Sequence, residues 1–180
     1  LPIWKARAYS EDGGETWSPF EVVMCANGRD TLPYTCMPFT SVIPVDGGKR
    51  LLGVTNVRRV YPAQDNPPIT NDKIRNGFAA GRDGMVVQSY SYDGGLTWDS
   101  MRVILDLDSP FFPCEPEIIR SPDGQELLMI IRENNQDYNS WIMTSRNEGR
   151  TWSEPFQAPA SVTMHRHKHV YTRSDTLAGD

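Results

Sequence analysis

The 180-residue chain carries 18 Lys and Arg against 23 Asp and Glu, and its net charge of −5 argues against the basic face of a nucleic-acid binder. An apolar fraction of 38% and a charged fraction of 23% are ordinary for a globular chain that buries a core. No run approaches the roughly 18 apolar residues of a membrane span, and Leu1-Pro2-Ile3-Trp4 gives no compartment signal.

Short β-type runs follow one another between 14 glycines and 14 prolines. In chain order they are Trp4–Tyr9, Val42–Val45, Leu51–Val57, Met85–Tyr90, Ile118–Arg120, Leu127–Ile131 and Trp141–Thr144. No segment sustains an apolar stripe at helical spacing, so the fold class predicted is all-β. The polar stretch from Tyr61 to about Arg82, with Asp65-Asn66-Pro67-Pro68, reads as an inserted loop. Cys25, Cys36 and Cys114 form neither a disulfide framework nor a metal spacing. In the tail, His165, His167 and His169 alternate in sequence, a spacing that would put them on one face if the tail were a strand. Arg166 and Lys168 between them would repel a cation, so no metal or other cofactor is expected.

One octapeptide recurs three times: Ser10 to Trp17, Ser91 to Trp98, and Ser145 to Trp152. The shared positions are Ser10, Asp12, Gly14, Thr16 and Trp17; Ser91, Asp93, Gly95, Thr97 and Trp98; and Ser145, Asn147, Gly149, Thr151 and Trp152. Asp or Asn can accept a backbone N–H two residues on, Gly supplies a positive φ, and the flanking Ser and Thr can bond across the turn. A buried Trp removes ~150–250 Å² from water, up to roughly 4–6 kcal/mol, against about 1 kcal/mol for a turn hydrogen bond. The octapeptide is therefore expected to be a structural hairpin clamp anchored by its Trp.

A longer repeat encloses it. Cys36-Met37-Pro38 leads through Thr40–Ile43 and the turn Asp46-Gly47-Gly48 to Leu51–Val54; Cys114-Glu115-Pro116 leads through Ile118-Ile119 and Asp123-Gly124 to Leu127–Ile130. Four strands per repeat, with two hairpins, predict blades of a β-propeller. Residues 1–33 are expected to end one blade, 34–108 and 109–158 to form two, and 159–180 to begin another. That is about three blades, too few to close a ring, so the chain is expected to be a partial propeller.

The octapeptides are Asp-boxes, and with them the chain resembles the sialidase (neuraminidase) superfamily, also called BNR-repeat proteins. The resemblance covers nearly the whole chain and implies a six-bladed ring when complete, with a sialylated glycan or other carbohydrate bound at its axis. In that family three arginines bind the sialic acid carboxylate, a Tyr assisted by a Glu is the nucleophile, and an Asp is the acid/base. Aligning the two full blades places Glu115 opposite Met37 and Arg132 opposite Asn56. The pair looks like the family's Glu and one of its arginines, which makes Glu115 the carboxylate that polarises the Tyr. Glu133 and Asn134 extend that lip, either as contacts for sugar hydroxyls or as ordinary loop polarity, while Trp141 is expected in the core rather than at the sugar. An ordinary ion pair near the axis explains Glu115 and Arg132 equally well.

The other two arginines, the acid/base Asp and the Tyr would lie upstream of Leu1 or beyond Asp180, and neither Tyr138 nor Tyr171 matches the nucleophile. The resemblance thus implies a retaining exo-α-sialidase whose 180-residue portion is inactive alone. Two alternatives stand beside it. One is a non-catalytic propeller that binds glycans or proteins, and the other a glycosidase of another polysaccharide that uses paired carboxylates. Oligomeric state and compartment are not legible in the sequence.

Overall fold

The structure, a computed structural model, describes residues 5–23, 34–36, 38–59, 84–107, 111–134 and 138–159. Met37, the loop from Tyr61 to Arg82, the His165–His169 tail, Tyr171 and the expected start of a blade after 159 lie outside the described residues.

The described residues form eleven strands and no helix: β1 Lys5–Arg7, β2 Glu21–Val23, β3 Tyr34–Cys36, β4 Ser41–Val45, β5 Arg50–Arg59, β6 Gly84–Ser91, β7 Arg102–Asp106, β8 Pro113–Arg120, β9 Leu127–Glu133, β10 Trp141–Ser145 and β11 Phe156–Gln157. Hence none of them is in a helix long and apolar enough to cross a membrane. Every sequence-predicted run lies in or overlaps a strand, while β2, β3, β7 and β11 were not legible because each is short or lacks apolar alternation.

Pairing is antiparallel and, apart from β3 with β5, between chain neighbours, as in a propeller blade. Strands β8 to β11 form one meander. In a second sheet β5 pairs β6 and β6 pairs β7, while β3 and β4 share the other edge of β5. Together β3 and β4 match β8: Cys36 pairs with Val57 and Ser41 with Val54, whereas Cys114 pairs with Arg132 and Glu117 with Ile130. Both edges are interrupted at the same place, between β3 and β4 in one blade and at Glu115-Pro116 in the next. β1 and β2 form a third, two-stranded sheet.

The two larger sheets stack face to face. Val45, Leu52, Val54, Val86, Tyr90 and Leu105 of one meet Ile118, Leu127, Met129, Ile131 and Met143 of the other in a single core. β6 is buried at all eight positions because both its faces are covered. Its second face carries Met85 and Val87, which join Val57 and Met101. Burial that removes ~25 cal/mol per Å² of apolar surface makes this blade-to-blade contact the main cohesive term.

The Asp-boxes close β1–β2, β6–β7 and β10–β11 with one wiring, in which the Asp is the hub. Ser91 Oγ accepts the Gly95 N–H at 2.8 Å and donates to Asp93 Oδ1 at 2.8 Å. Asp93 Oδ1 accepts the Thr97 N–H at 2.8 Å, and the Thr97 hydroxyl donates to Oδ2 at 2.6 Å. The Ser and Thr therefore both bond the Asp rather than each other, and the Asp reaches four residues on rather than two. In the third box Asn147 Oδ1 takes the same two bonds, but its Nδ2 donates to Thr151 Oγ1 at 2.8 Å, reversing one polarity. The residue after each Trp ties the exit back to the entry, as where the Asp99 N–H bonds the Tyr90 carbonyl at 2.9 Å and Asp99 Oδ1 accepts the Tyr90 N–H at 2.7 Å.

The Trp anchors are not equivalent. Trp98 is 6% exposed and lies 4.2 Å from Phe39 between ring centroids. It fits because Gly53 has no side chain: a Cβ there would come within 2.8 Å of the indole. Trp152 is half-buried, and its Nε1–H donates to Gln88 Oε1 at 2.7 Å on the neighbouring blade. Trp17 is 64% exposed, so the burial expected of it is absent among the described residues. No described sheet packs over it as one packs over Trp152.

Candidate functional site

The interruption in β8 creates the site. Glu115 follows Cys114 and precedes Pro116, with φ of +46° in the left-handed region. A non-glycine residue there is uncommon, and a following proline opposes helical backbone at the preceding residue, so neighbours must hold it. Three hydrogen bonds from the adjacent blade do so. Asn56 Oδ1 accepts the Glu115 N–H at 3.1 Å, Thr40 Oγ1 donates to the Pro116 carbonyl, and Ser41 Oγ accepts the Ile118 N–H at 3.2 Å.

The conformation turns the Glu115 carboxylate toward the end of β9. Arg132 Nη1 donates to Glu115 Oε2 at 3.0 Å. The Arg132 side chain is only 14% exposed, whereas that of Glu115 is 46% exposed. Arg132 Nε is buried without a partner in the structure. A half-open carboxylate thus sits on a largely buried guanidinium that retains donor capacity, an arrangement able to receive a second carboxylate.

The other residues read from the sequence as sugar contacts differ in placement. Glu133 is 3% exposed; its Oε1 accepts the Phe112 N–H at 3.0 Å and its Oε2 is buried without a partner. Its position follows the alternation of Leu127, Met129 and Ile131, which point to the core. Asn134 is half-buried, its N–H donates to the Phe112 carbonyl at 3.0 Å, and the Cys114 thiol donates to its Oδ1 at 3.7 Å. Trp141 packs against the core as expected and meets Phe111 edge-on at 5.2 Å. Asn56 is the site residue that sequence reasoning missed. It entered only as the counterpart of Arg132, and no local pattern announces a bond to a residue 59 positions away.

At the box end, charges join the blades instead. Glu148 takes both Arg120 guanidinium nitrogens at 2.7 Å and accepts the Asp46 N–H at 3.0 Å. The Arg120 hydrogen bonds hold the Glu148 carboxyl below the usual range against the opposing effect of partial burial. Partial desolvation pushes Asp46 up, but Arg150 and Arg50 outweigh it and leave its carboxyl lowered. A groove of about 450 Å³ runs between β7 and the third box, lined by Arg102, Leu105, Trp152 and Pro155 among others. Its arginines are already engaged, Arg102 with the Gly149 and Arg150 carbonyls and Arg150 with Asp46, and neither Glu115 nor Arg132 reaches it. The described residues contain no cluster of three or more His, Cys, Asp or Glu suited to a metal ion.

Four-stranded antiparallel meanders, stacked face to face and closed by Asp-boxes, define an Asp-box β-propeller architecture. The BNR/Asp-box repeat family model matches residues 8–19, the first box. A sialidase of Clostridium perfringens is 30% identical over 173 residues, spanning 88% of this chain and 42% of the relative. NanB sialidase of Streptococcus pneumoniae superposes with a TM-score of 0.54 at 17% identity, over 87% of this chain and 19% of that one. A leech intramolecular trans-sialidase gives 0.53 at 20% identity, also over 87% and 19%. The chain belongs to the sialidase superfamily. It spans less than half of the Clostridium relative's length.

Proposed function

We propose that the protein is an exo-α-sialidase-like glycoside hydrolase acting on terminal sialic acids, and that this chain contributes the Glu–Arg part of its site. The observation that supports this reading is the 3.0 Å contact between a half-exposed Glu115 and a buried Arg132 at the interrupted inner strand. The sialic acid carboxylate lies at the anomeric carbon, where it would repel a carboxylate nucleophile. A phenol avoids that repulsion and forms a glycosyl-enzyme with retention, the exception to paired carboxylates. Glu115 takes the phenol proton as the oxygen attacks, an acid elsewhere protonates the leaving oxygen, and water then releases the sugar. Arg132 pairs with the substrate carboxylate, each charge-assisted bond contributing roughly 1.5–3 kcal/mol. Asn134, half-exposed on the lip, is retained as a contact for a sugar hydroxyl. Glu133 supports the Phe112 amide from beneath.

The test is hydrolysis of a fluorogenic sialoside by the full-length protein. Arg132→Ala should raise KM by about 10- to 100-fold, the loss of one such bond. Activity untouched by Arg132→Ala and by Glu115→Gln would remove this site assignment. Sialoside binding without turnover would instead favour a glycan-binding module. The 180-residue chain alone should not turn over substrate.

A further inference from the structure

Neighbouring blades place non-equivalent residues at equivalent positions, and both converge on Glu115. Arg132, near the end of the second strand of its blade, engages the Glu115 carboxylate at 3.0 Å. Asn56, its counterpart on β5, is 6% exposed and accepts the N–H of the same residue at 3.1 Å. The Thr40 and Ser41 bonds hold the flanking Pro116 and Ile118. Of these cross-blade bonds only that of Asn56 acts on the backbone of Glu115, the residue whose φ is +46°. Rotation of that peptide out of the left-handed region would swing the carboxylate away from Arg132.

We propose that Asn56 is a positioning residue that holds the Glu115 backbone in its left-handed conformation across the blade boundary, fixing where the carboxylate meets the reacting group. The inference rests on the reading of Glu115 as the base. A buried amide oxygen suits this task because it accepts the N–H without adding a second negative charge beside the carboxylate. The blade that lacks the Glu–Arg pair is thereby part of the site, through its second strand, β5.

The experiment uses the full-length protein with a fluorogenic sialoside. Asn56→Ala should lower kcat by about 10- to 100-fold, the scale of an ångström-sized displacement of a catalytic group, with KM changed less than about threefold. Asn56→Asp keeps the acceptor oxygen but adds a charge beside Glu115, so it should recover kcat relative to Asn56→Ala while moving the acid limb of the pH profile to higher pH. Asn56→Ala added to Glu115→Gln should cost little more than Glu115→Gln alone, because residues acting through one group are not additive. An additive loss, or a loss in KM alone, would overturn the proposal by showing a general packing role. Should Asn56→Ala fail to fold, Asn56→Asp decides: kcat recovered above the shifted limb supports the role, and a folded Asn56→Asp that is inactive at every pH refutes it. If Glu115→Gln itself leaves kcat unchanged, the reading of Glu115 fails; if Glu115→Gln abolishes turnover and Asn56→Ala does not alter it, only the Asn56 role fails.

Discussion

The two ends of the stacked blades are built on opposite principles. At the box end one solution is repeated. Asp12, Asp93 and Asn147 each gather the same Ser and Thr, and donors from the neighbouring sheet cap the loop: Arg7 on the Gly95 carbonyl at 3.2 Å, and Gln88 on that of Gly149 at 3.0 Å. Arg7 and Gln88 each stand three residues before a box Ser, so the stapling repeats along with the box. At the other end the interruption of the edge strand repeats, but its side chains do not. Glu115 is held with positive φ, and Arg132 Nε, Glu133 Oε2 and Trp141 Nε1 are buried without partners. Unpaired buried polar atoms and a constrained backbone each cost on the order of 1–3 kcal/mol. The box end carries such costs too, with Arg7 Nε buried without a partner and Asp46 and Glu148 at positive φ. Its repeated hubs and packed core nevertheless supply the stability against which the other end can hold groups in reserve.

If that division is right, substitutions at the two ends should separate stability from chemistry. The largest expected effect is on rate: Glu115→Gln should lower kcat by about 10²- to 10⁴-fold, the usual contribution of a positioned base, with the unfolding midpoint nearly unchanged. The reverse pattern belongs to the boxes. Trp98→Ala, at a 6% exposed ring, should cost about 3–5 kcal/mol in urea unfolding. Trp17→Ala, at a 64% exposed ring, should cost less than about 0.5 kcal/mol. Equal destabilisation by the two would contradict the unequal roles of the boxes.

What could be read from the sequence follows the same line. The boxes and hairpins were legible because their chemistry is local: Ser91, Asp93 and Thr97 bond within seven residues, and Gly and Asp announce the turn. The Glu115 and Arg132 contact was legible because one blade departs from its neighbour at both positions. Contacts between non-equivalent positions of different blades carried no such mark. Asn56 with Glu115 and Gln88 with Trp152 join residues 59 and 64 apart, and neither pair has a periodic or motif signature. Glu133 was placed at the sugar from its polarity, although its parity with Met129 and Ile131 pointed to the buried face. Alternation was the stronger signal there, since a backbone N–H at Phe112 awaited the carboxylate.

The third box sharpens the comparison, because it departs from the repeat and yet strengthens the clamp. Glu148 stands at φ +61°, where the other boxes have Gly13 and Gly94 at +76° and +74°. Its fork with Arg120 and its bond to the Asp46 N–H compensate for the less suitable backbone. Glu148→Gly restores the box pattern and relieves the backbone, but removes the fork. Since the pair is only partly buried, the net loss should be about 1–2 kcal/mol, falling by roughly half in about 1 M salt. A stabilised Glu148→Gly would show that the departure is wear rather than a clamp.

The smallest effect distinguishes Asp from Asn as the hub. The hydroxyl of Thr97, followed by its backbone N–H, pulls the Asp93 carboxyl down to about 2 from its ordinary 3.8. Asp12 is lowered in the same way, by the hydroxyl of Thr16 first. A carboxyl with a lowered folded-state pKa stabilises the fold fully above its unfolded value, and that stabilisation is lost as pH falls through the folded value. For Asp93 the loss should therefore run from about pH 4 down to about pH 2. Asn147 shows that an amide can occupy the same place, with its Nδ2 donating where the Asp accepts. Asp93→Asn should thus fold with the Thr97 hydroxyl turned around, lose a little stability at neutral pH and flatten the acid limb of the unfolding midpoint. An acid limb as steep as before would mean that the first two boxes do not draw on the charge of their Asp at all, and that the three hubs are equivalent in energy as well as in wiring.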